Sequence, residues 1–166
     1  MKSAEHSTSV LDARARALAK PRATLDDAYS ADRLELLLFG VSDERLAIPL
    51  AAIVAITRVT SVTPLPRAVP PVFGVTAWRG RPITVLSLAA IPAAATDKRR
   101  LIVLGDGRRA VLGVLADEVE DTRNITRSGL SPAPGDARYA RTLGMTDDAV
   151  LVLDADALMN ATRNEP

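Results

Sequence analysis

The chain predicts a mainly β fold, two small β-barrels packed side by side with a short helix at each end. Three observations lead there. Short apolar runs follow one another between Gly, Pro and Asp turns, with little helical periodicity. One pattern occurs twice: Leu36–Asp43, Arg45–Leu50 and Ile53, then Leu101–Gly107, Val111–Ala116 and Val119. Each copy is an apolar run, a Gly/Asp turn, a second run with a small residue (Ala47, Gly113) in its middle, and a branched residue beyond. The 166 residues are 48% hydrophobic but only 3% aromatic, so the core is aliphatic.

The elements follow in order. Residues 1–8 are polar and carry no order signal. Ser9 is placed to cap a short helix over Val10–Lys20, which Pro21 stops. Leu11, Ala15 and Leu18 share one face of it, beside Arg14, Arg16 and Lys20. Residues 21–32 read as linker. Strands are expected over Leu34–Val41 and Arg45–Pro49, a helical turn at Leu50–Ala52, and a third strand over Ile53–Thr60. Thr63-Pro64-Leu65-Pro66 and Val69-Pro70-Pro71 form a stiff loop that is expected to stay out of any ladder, because proline lacks the amide donor. Val72–Trp78 and Pro82–Leu88 read as strands joined through Arg79-Gly80-Arg81, with Gly80 free to take positive φ. Ala89–Thr96 is a short helix or loop, since Pro92 interrupts it. Arg99–Leu104 and Arg108–Leu115 form a hairpin across Gly105-Asp106-Gly107, which Val119–Thr126 continues. Residues 128–137 are loop. Thr142–Met145 and Ala149–Leu153 form a last hairpin across Asp147-Asp148, and Asp154 caps a closing helix containing Leu158 and Met159. The barrels are expected to be antiparallel.

Composition excludes most chemistry. There is no cysteine, so disulfides and thiolate catalysis are out. The single histidine, His6, lies in the tail, and no Ser-His-Asp or metal-ligand set can be assembled in the body. Acidic pairs stand at Asp26-Asp27, Asp117-Glu118 and Asp147-Asp148, but neighbours in a strand point to opposite faces. Gly105-Asp106-Gly107 lacks the ending of a phosphate loop. No cofactor is implied. A net charge of +1 gives no field that would draw nucleic acid or a membrane. Lys98-Arg99-Arg100 and Arg108-Arg109 read as solvated charges guarding strand edges, with a small nucleic-acid-binding barrel as a remote alternative. No secretory signal and no run of about 20 apolar residues is present. A cytoplasmic protein without membrane insertion is expected.

One segment stands out: Phe73-Gly74-Val75-Thr76-Ala77-Trp78-Arg79-Gly80-Arg81. Trp and Arg are the types most enriched at interface hot spots, joining apolar area to directed hydrogen bonds. Two readings stand side by side. Trp78 and Arg79 either form a docking corner, or fill core and decorate a turn.

The order of these segments resembles the CheW-like domain, the adaptor domain of bacterial chemosensory systems. The resemblance is carried by Leu36–Ile48, Gly74–Gly80, Ile83–Leu88, Gly113–Val119 (with Asp117) and Val150–Asp154, and covers about Leu34 to Met159. It implies two SH3-like barrel subdomains, no catalytic activity, and a scaffold coupling methyl-accepting chemoreceptor tips to the regulatory domain of a CheA-type histidine kinase. It implies a receptor groove between the barrels that includes Ile53, Arg79 and Gly80. The partner-binding set expected from residues and resemblance together is Ile53, Gly74, Val75, Trp78, Arg79, Gly80 and Val119. The expected organisation is a tail with a helix and linker at 1–32, the CheW-like domain at 33–160, and a tail at 161–166. At several positions the chain departs from the family: Ala55 replaces an acid, Ala77 an asparagine, Thr84 a proline, Ser87 an aspartate, and Trp78 a leucine. These losses open a second reading, a diverged member that binds one partner only or competes with a standard adaptor.

Overall fold

The computed structural model describes residues 32–89, 99–107, 109–135 and 140–163. The helix expected over Val10–Lys20, residues 90–98, Arg108, Tyr139 and the last three residues lie outside them. Eleven strands run through the described residues: β1 Arg33–Val41, β2 Glu44–Pro49, β3 Ile53–Arg58, β4 Thr63–Pro64, β5 Val72–Trp78, β6 Arg81–Leu86, β7 Arg100–Asp106, β8 Arg109–Ala116, β9 Glu118–Thr126, β10 Thr142–Met145 and β11 Leu151–Leu153. A 3₁₀ turn at Leu50–Ala52 separates β2 from β3, and helix α1 spans Ala155–Arg163. The Asp154 carboxylate caps α1 by accepting the Ala157 N–H at 2.9 Å.

The strands form two sheets, ordered β10-β11-β2-β1-β9 and β3-β7-β8-β6-β5-β4. Set side by side, the five strands of the first sheet correspond to β5, β6, β8, β7 and β3 of the second, and β4 has no counterpart. Each centres on one copy of the repeated hairpin, β1–β2 or β7–β8. The strand after each hairpin leaves its own sheet: β3 pairs with β7, and β9 lies beside β1. The expectation that Val119–Thr126 extends the second hairpin is therefore corrected, because β9 crosses to the first sheet. The two copies exchange their third strands, so a lobe is not a half of the chain. One lobe is built within residues 53–116, and the other from the segments on either side.

Two further expectations change. The barrels are not purely antiparallel, since β11 runs parallel to β2 and β6 parallel to β8. The proline loop also enters the ladder. Thr63 and Pro64 pair with Val75 and Gly74 as a two-residue strand. Proline is tolerated there because β4 ends the sheet, where only one side of the backbone needs a partner. Gly74 makes the approach possible, because a Cβ on it would collide with the Thr63 carbonyl oxygen.

Side-chain alternation sorts the apolar runs into three cores. Leu36, Leu38 and Ala47 pack with Val150 and Val152 inside the first lobe. Val85, Leu101, Val103 and Leu115 pack inside the second. The intervening residues, Leu37, Phe39, Leu46, Ile48, Ile102, Leu104, Leu112 and Val114, join Leu158 and Met159 of α1 in a shared core between lobes. Both faces of the central strands are buried, which is why they read as unbroken apolar runs rather than as alternation.

Candidate docking sites

The β5–β6 hairpin closes through Arg79 and Gly80, both at positive φ (48° and 78°). Two successive left-handed residues make the turn that matches the twist of the flanking strands. Glycine takes that conformation freely. Arginine does not, so a guanidinium is held at the tip of a strained turn. Trp78 packs half-buried on the core of the second lobe, and the Arg79 guanidinium stacks on its indole, 5.2 Å from the ring centroid. Trp78 thus supports core and Arg79 is exposed at the turn, the arrangement of the second reading, while the docking reading stays an expectation.

Register sets Arg109, which sequence reading did not place here, beside Arg81 of the turn. Thr84 lies level with Leu112 in the parallel β6–β8 pair, so Arg81 and Arg109, each three positions earlier, begin their strands at one edge. Together with Trp78, Arg79, Pro82 and Ile83 they line a cavity of about 470 Å³. Arg81 was visible beside the turn and Arg109 within a basic pair, but only topology joins them.

A second cavity, of about 510 Å³, opens between the lobes. Leu34, Pro49 and Leu143 line it from the first lobe, and Gly105, Asp106 and Gly107 from the second. Ala51, Ala52, Ala155 and Met159 add apolar lining, and Asp154, Asp156, Asn160 and Arg127 add polar groups. The two cavities share no lining residue.

The expected partner-binding residues divide between these regions. Trp78 and Arg79 line the first cavity, with Gly80 at the turn beside it. Ile53 and Val119 occupy equivalent places just beyond the two hairpins, and both pack half-buried against the shared core. Ile53 follows directly on Ala51 and Ala52 of the interlobe cleft. Ile53 and Val75 fall on one row of the second sheet, through Leu104, Leu112 and Thr84. Val75 and Gly74 therefore lie along the strand body, away from the turn.

The basic segment 98–100 is corrected at one position. Arg99 is not a solvated charge. It is 8% exposed, and its Nε donates to Asp117 Oδ1 at 2.7 Å. The other Asp117 oxygen accepts the Ser42 N–H, also at 2.7 Å. Asp117 therefore clamps the turn of one hairpin to the strand leading into the other. A second network lies on the first lobe. Arg45 grips Glu120 through two guanidinium nitrogens (3.1 and 2.6 Å), and Arg123 donates to both oxygens of Asp148. The Thr146 hydroxyl and then Arg123 hold the Asp148 carboxyl at about 2, well below its ordinary 3.8. The Arg45 hydrogen bond lowers the Glu120 carboxyl likewise.

Among the described residues no group of His, Cys, Asp or Glu is arranged to hold a metal, and no helix is long and apolar enough to cross a membrane. What the fold and its sites define is a two-lobed β scaffold with docking clefts. Comparison gives the family. Residues 35–163 match the CheW-like domain, and the chain belongs to that family of chemotaxis adaptor scaffolds. It is 31% identical over 139 residues to protein FrzA of Myxococcus xanthus, an alignment covering 78% of this chain and 87% of that one. It is 26% identical over 140 residues to a probable chemotaxis protein CheW of Rhizobium etli, covering 79% and 90%. The crystal structure of a scaffolding protein, TtCheW, from Thermoanaerobacter tengcongensis superposes with a TM-score of 0.59 over 72% of this chain and 88% of that chain, at 19% identity. That likeness supports the two-barrel fold.

Proposed function

We infer that this chain is a non-enzymatic coupler between the cytoplasmic tips of chemoreceptors and the regulatory domain of a CheA-type histidine kinase. The observation that carries this reading is the interlobe cleft, lined by residues of both barrels with three alanines among them. A receptor helix lays its apolar face there, where the short alanine side chains of the lining let its backbone come close. The barrel faces remain for the kinase. Family membership supports the adaptor role, and the residue-level contacts are our reading.

The departures from the family pattern favour a second reading. Ala77 is exposed on β5, and Ala55 lies half-buried on β3, so neither supplies a polar contact. A chain that keeps the cleft but lost a polar contact binds one partner only. Capture of the full chain on immobilised receptor tips and, separately, on the kinase regulatory domain decides the matter. Retention by both establishes the coupler. Retention by one establishes the diverged form, and retention by neither removes the adaptor reading. Under the first outcome, Asn160→Trp fills the cleft beside Met159 and abolishes capture by receptor tips while leaving kinase capture in place.

A further inference from the structure

We propose that Asp117 is a positioning residue for the interlobe cleft: acting from the far end of the lobe contact, its bonds fix how far apart the cleft walls stand. This deepens the reading of that cleft as the receptor site and rests on it.

Three observations carry it. First, the clamp and the cleft lie at opposite ends of the same strands. In the first lobe, Leu34 and Pro49 line the cleft, while Val41 pairs with Glu44 at the other end of the β1–β2 hairpin, beside Ser42. In the second lobe, Gly105, Asp106 and Gly107 line the cleft, while Arg100 pairs with Ala116 at the other end of β7–β8. Arg99 and Asp117 each stand one position beyond that last pair. The length of β1 sets Leu34 roughly 25 Å from Ser42, so a tilt of about 5° at the clamp moves a cleft wall by about 2 Å.

Second, Asp117 makes directed bonds toward both lobes. Its Oδ1 accepts from Arg99 Nε at 2.7 Å, its Oδ2 accepts the Ser42 N–H at 2.7 Å, and its own N–H donates to the Gly40 carbonyl at 2.9 Å. Arg99 is in turn tied into the second lobe, where its carbonyl accepts the Val59 N–H at 3.2 Å. Ser42 is kept at positive φ (54°), a conformation that serine rarely takes, with its amide on the carboxylate. The Arg45–Glu120 and Arg123–Asp148 pairs stay within the first lobe.

Third, the shared core that lies between the lobes is apolar. Apolar contact is non-directional. It holds the lobes together but specifies their angle weakly, whereas charge-assisted hydrogen bonds fix direction. A helix face seats in a cleft only to the tolerance of close packing, so a displaced wall is felt as lost affinity.

The chain has no cysteine, so Glu35→Cys together with Arg109→Cys takes spin labels at those two sites alone. Both positions are exposed at the cleft end, one on each lobe, and neither lines the cleft. The label-to-label distance is measured by double electron–electron resonance in the full chain, alone and with Asp117→Asn, Arg99→Lys or Gly113→Ala added. Asp117→Asn keeps its size and one oxygen for Ser42 but loses the charge that holds Arg99. It should shift or broaden the distance by about 2 Å and, in the unlabelled chain, lower affinity for receptor tips about fivefold, with kinase-domain affinity at the wild-type value. Arg99→Lys keeps the cation but loses Nε, and should fall between. Gly113→Ala crowds Leu101 inside the second lobe, away from the clamp, and should keep wild-type spacing and affinity. Far-ultraviolet circular dichroism verifies folding, and Arg99→Lys decides alone if Asp117→Asn is unfolded. An unchanged distance in the clamp variants overturns the proposal, as does the same shift in Gly113→Ala or a shift at wild-type receptor affinity. Receptor tips that fail to bind the wild type sink the receptor reading of the cleft, while the distances still decide whether Asp117 sets its width.

Discussion

At the scale of single residues, the positions that matter most are those whose surroundings leave no choice. Asp117 is one. Its two oxygens serve the buried Arg99 and the Ser42 amide, so Asp117→Ala strands a buried cation and frees a hairpin turn. The expected loss is about 2 kcal/mol, read as a lower midpoint in thermal or urea denaturation. An unchanged midpoint would mean that the other contacts of Arg99 hold it in place. Gly113 is another. A Cβ there would stand 2.6 Å from Cδ1 of the buried Leu101. Gly113→Ala should therefore destabilise by about 1–3 kcal/mol through overpacking, despite the better strand propensity of alanine. The sequence showed a small residue inside each second run. It could not show the reason, which lies across the sheet on β7. Asp117 was similarly visible as half of an acidic pair, while its partners are remote in sequence.

At the scale of elements, most strands were legible because their ends carry turn chemistry. Ser42-Asp43, Arg79-Gly80 and Asp147-Asp148 all lie at turns, and Leu50–Ala52 forms the expected helical turn. What escaped was pairing. Nothing local says that Thr63-Pro64 joins an edge, or that β9 abandons the hairpin before it. Pairing of this kind is set by which apolar faces remain uncovered once the lobes meet, a property of no short window. Where β9 meets its new sheet, charge fastens it. Arg45 on β2 holds Glu120 on β9, while Arg123 on β9 holds Asp148 in the β10–β11 turn. The Asp148 carboxyl is lower when folded than when unfolded, so its support is complete above about pH 4. That support is lost as pH falls through about 2. Glu120, lowered in the same sense, adds to the loss. Urea midpoints should thus fall more steeply across this range in the wild type than in Asp148→Asn, whose side chain carries no charge to lose. Parallel profiles for the two proteins would remove Asp148 from the acid response.

At the scale of the whole molecule, the duplicated pattern and the two lobes are different divisions of the chain. The repeat splits it between β6 and β7, whereas the second lobe runs from Ile53 to Ala116 and draws on both copies. Each hairpin lends its following strand to the other, so neither copy completes a barrel alone. The second lobe is continuous in sequence and gives the impression of a domain that could be excised. Its surface argues otherwise. Leu86, Ile102, Leu104, Leu112 and Val114 are each no more than 1% exposed, and all five belong to the shared core that faces the first lobe and α1. Removing the first lobe uncovers them as one apolar face, larger than a small monomer tolerates in water. A fragment of residues 53–116 should therefore aggregate or remain unfolded, and the intact chain should unfold in one transition. Sedimentation and calorimetry test both halves of this expectation. A monodisperse, folded fragment, or two resolved transitions, would mean that each barrel is stable by itself. The interlobe cleft would then lie between separable domains, free to change its width when a partner helix enters. A single transition instead makes the cleft a fixed feature of one core, so that helices are selected by fit to a preformed width.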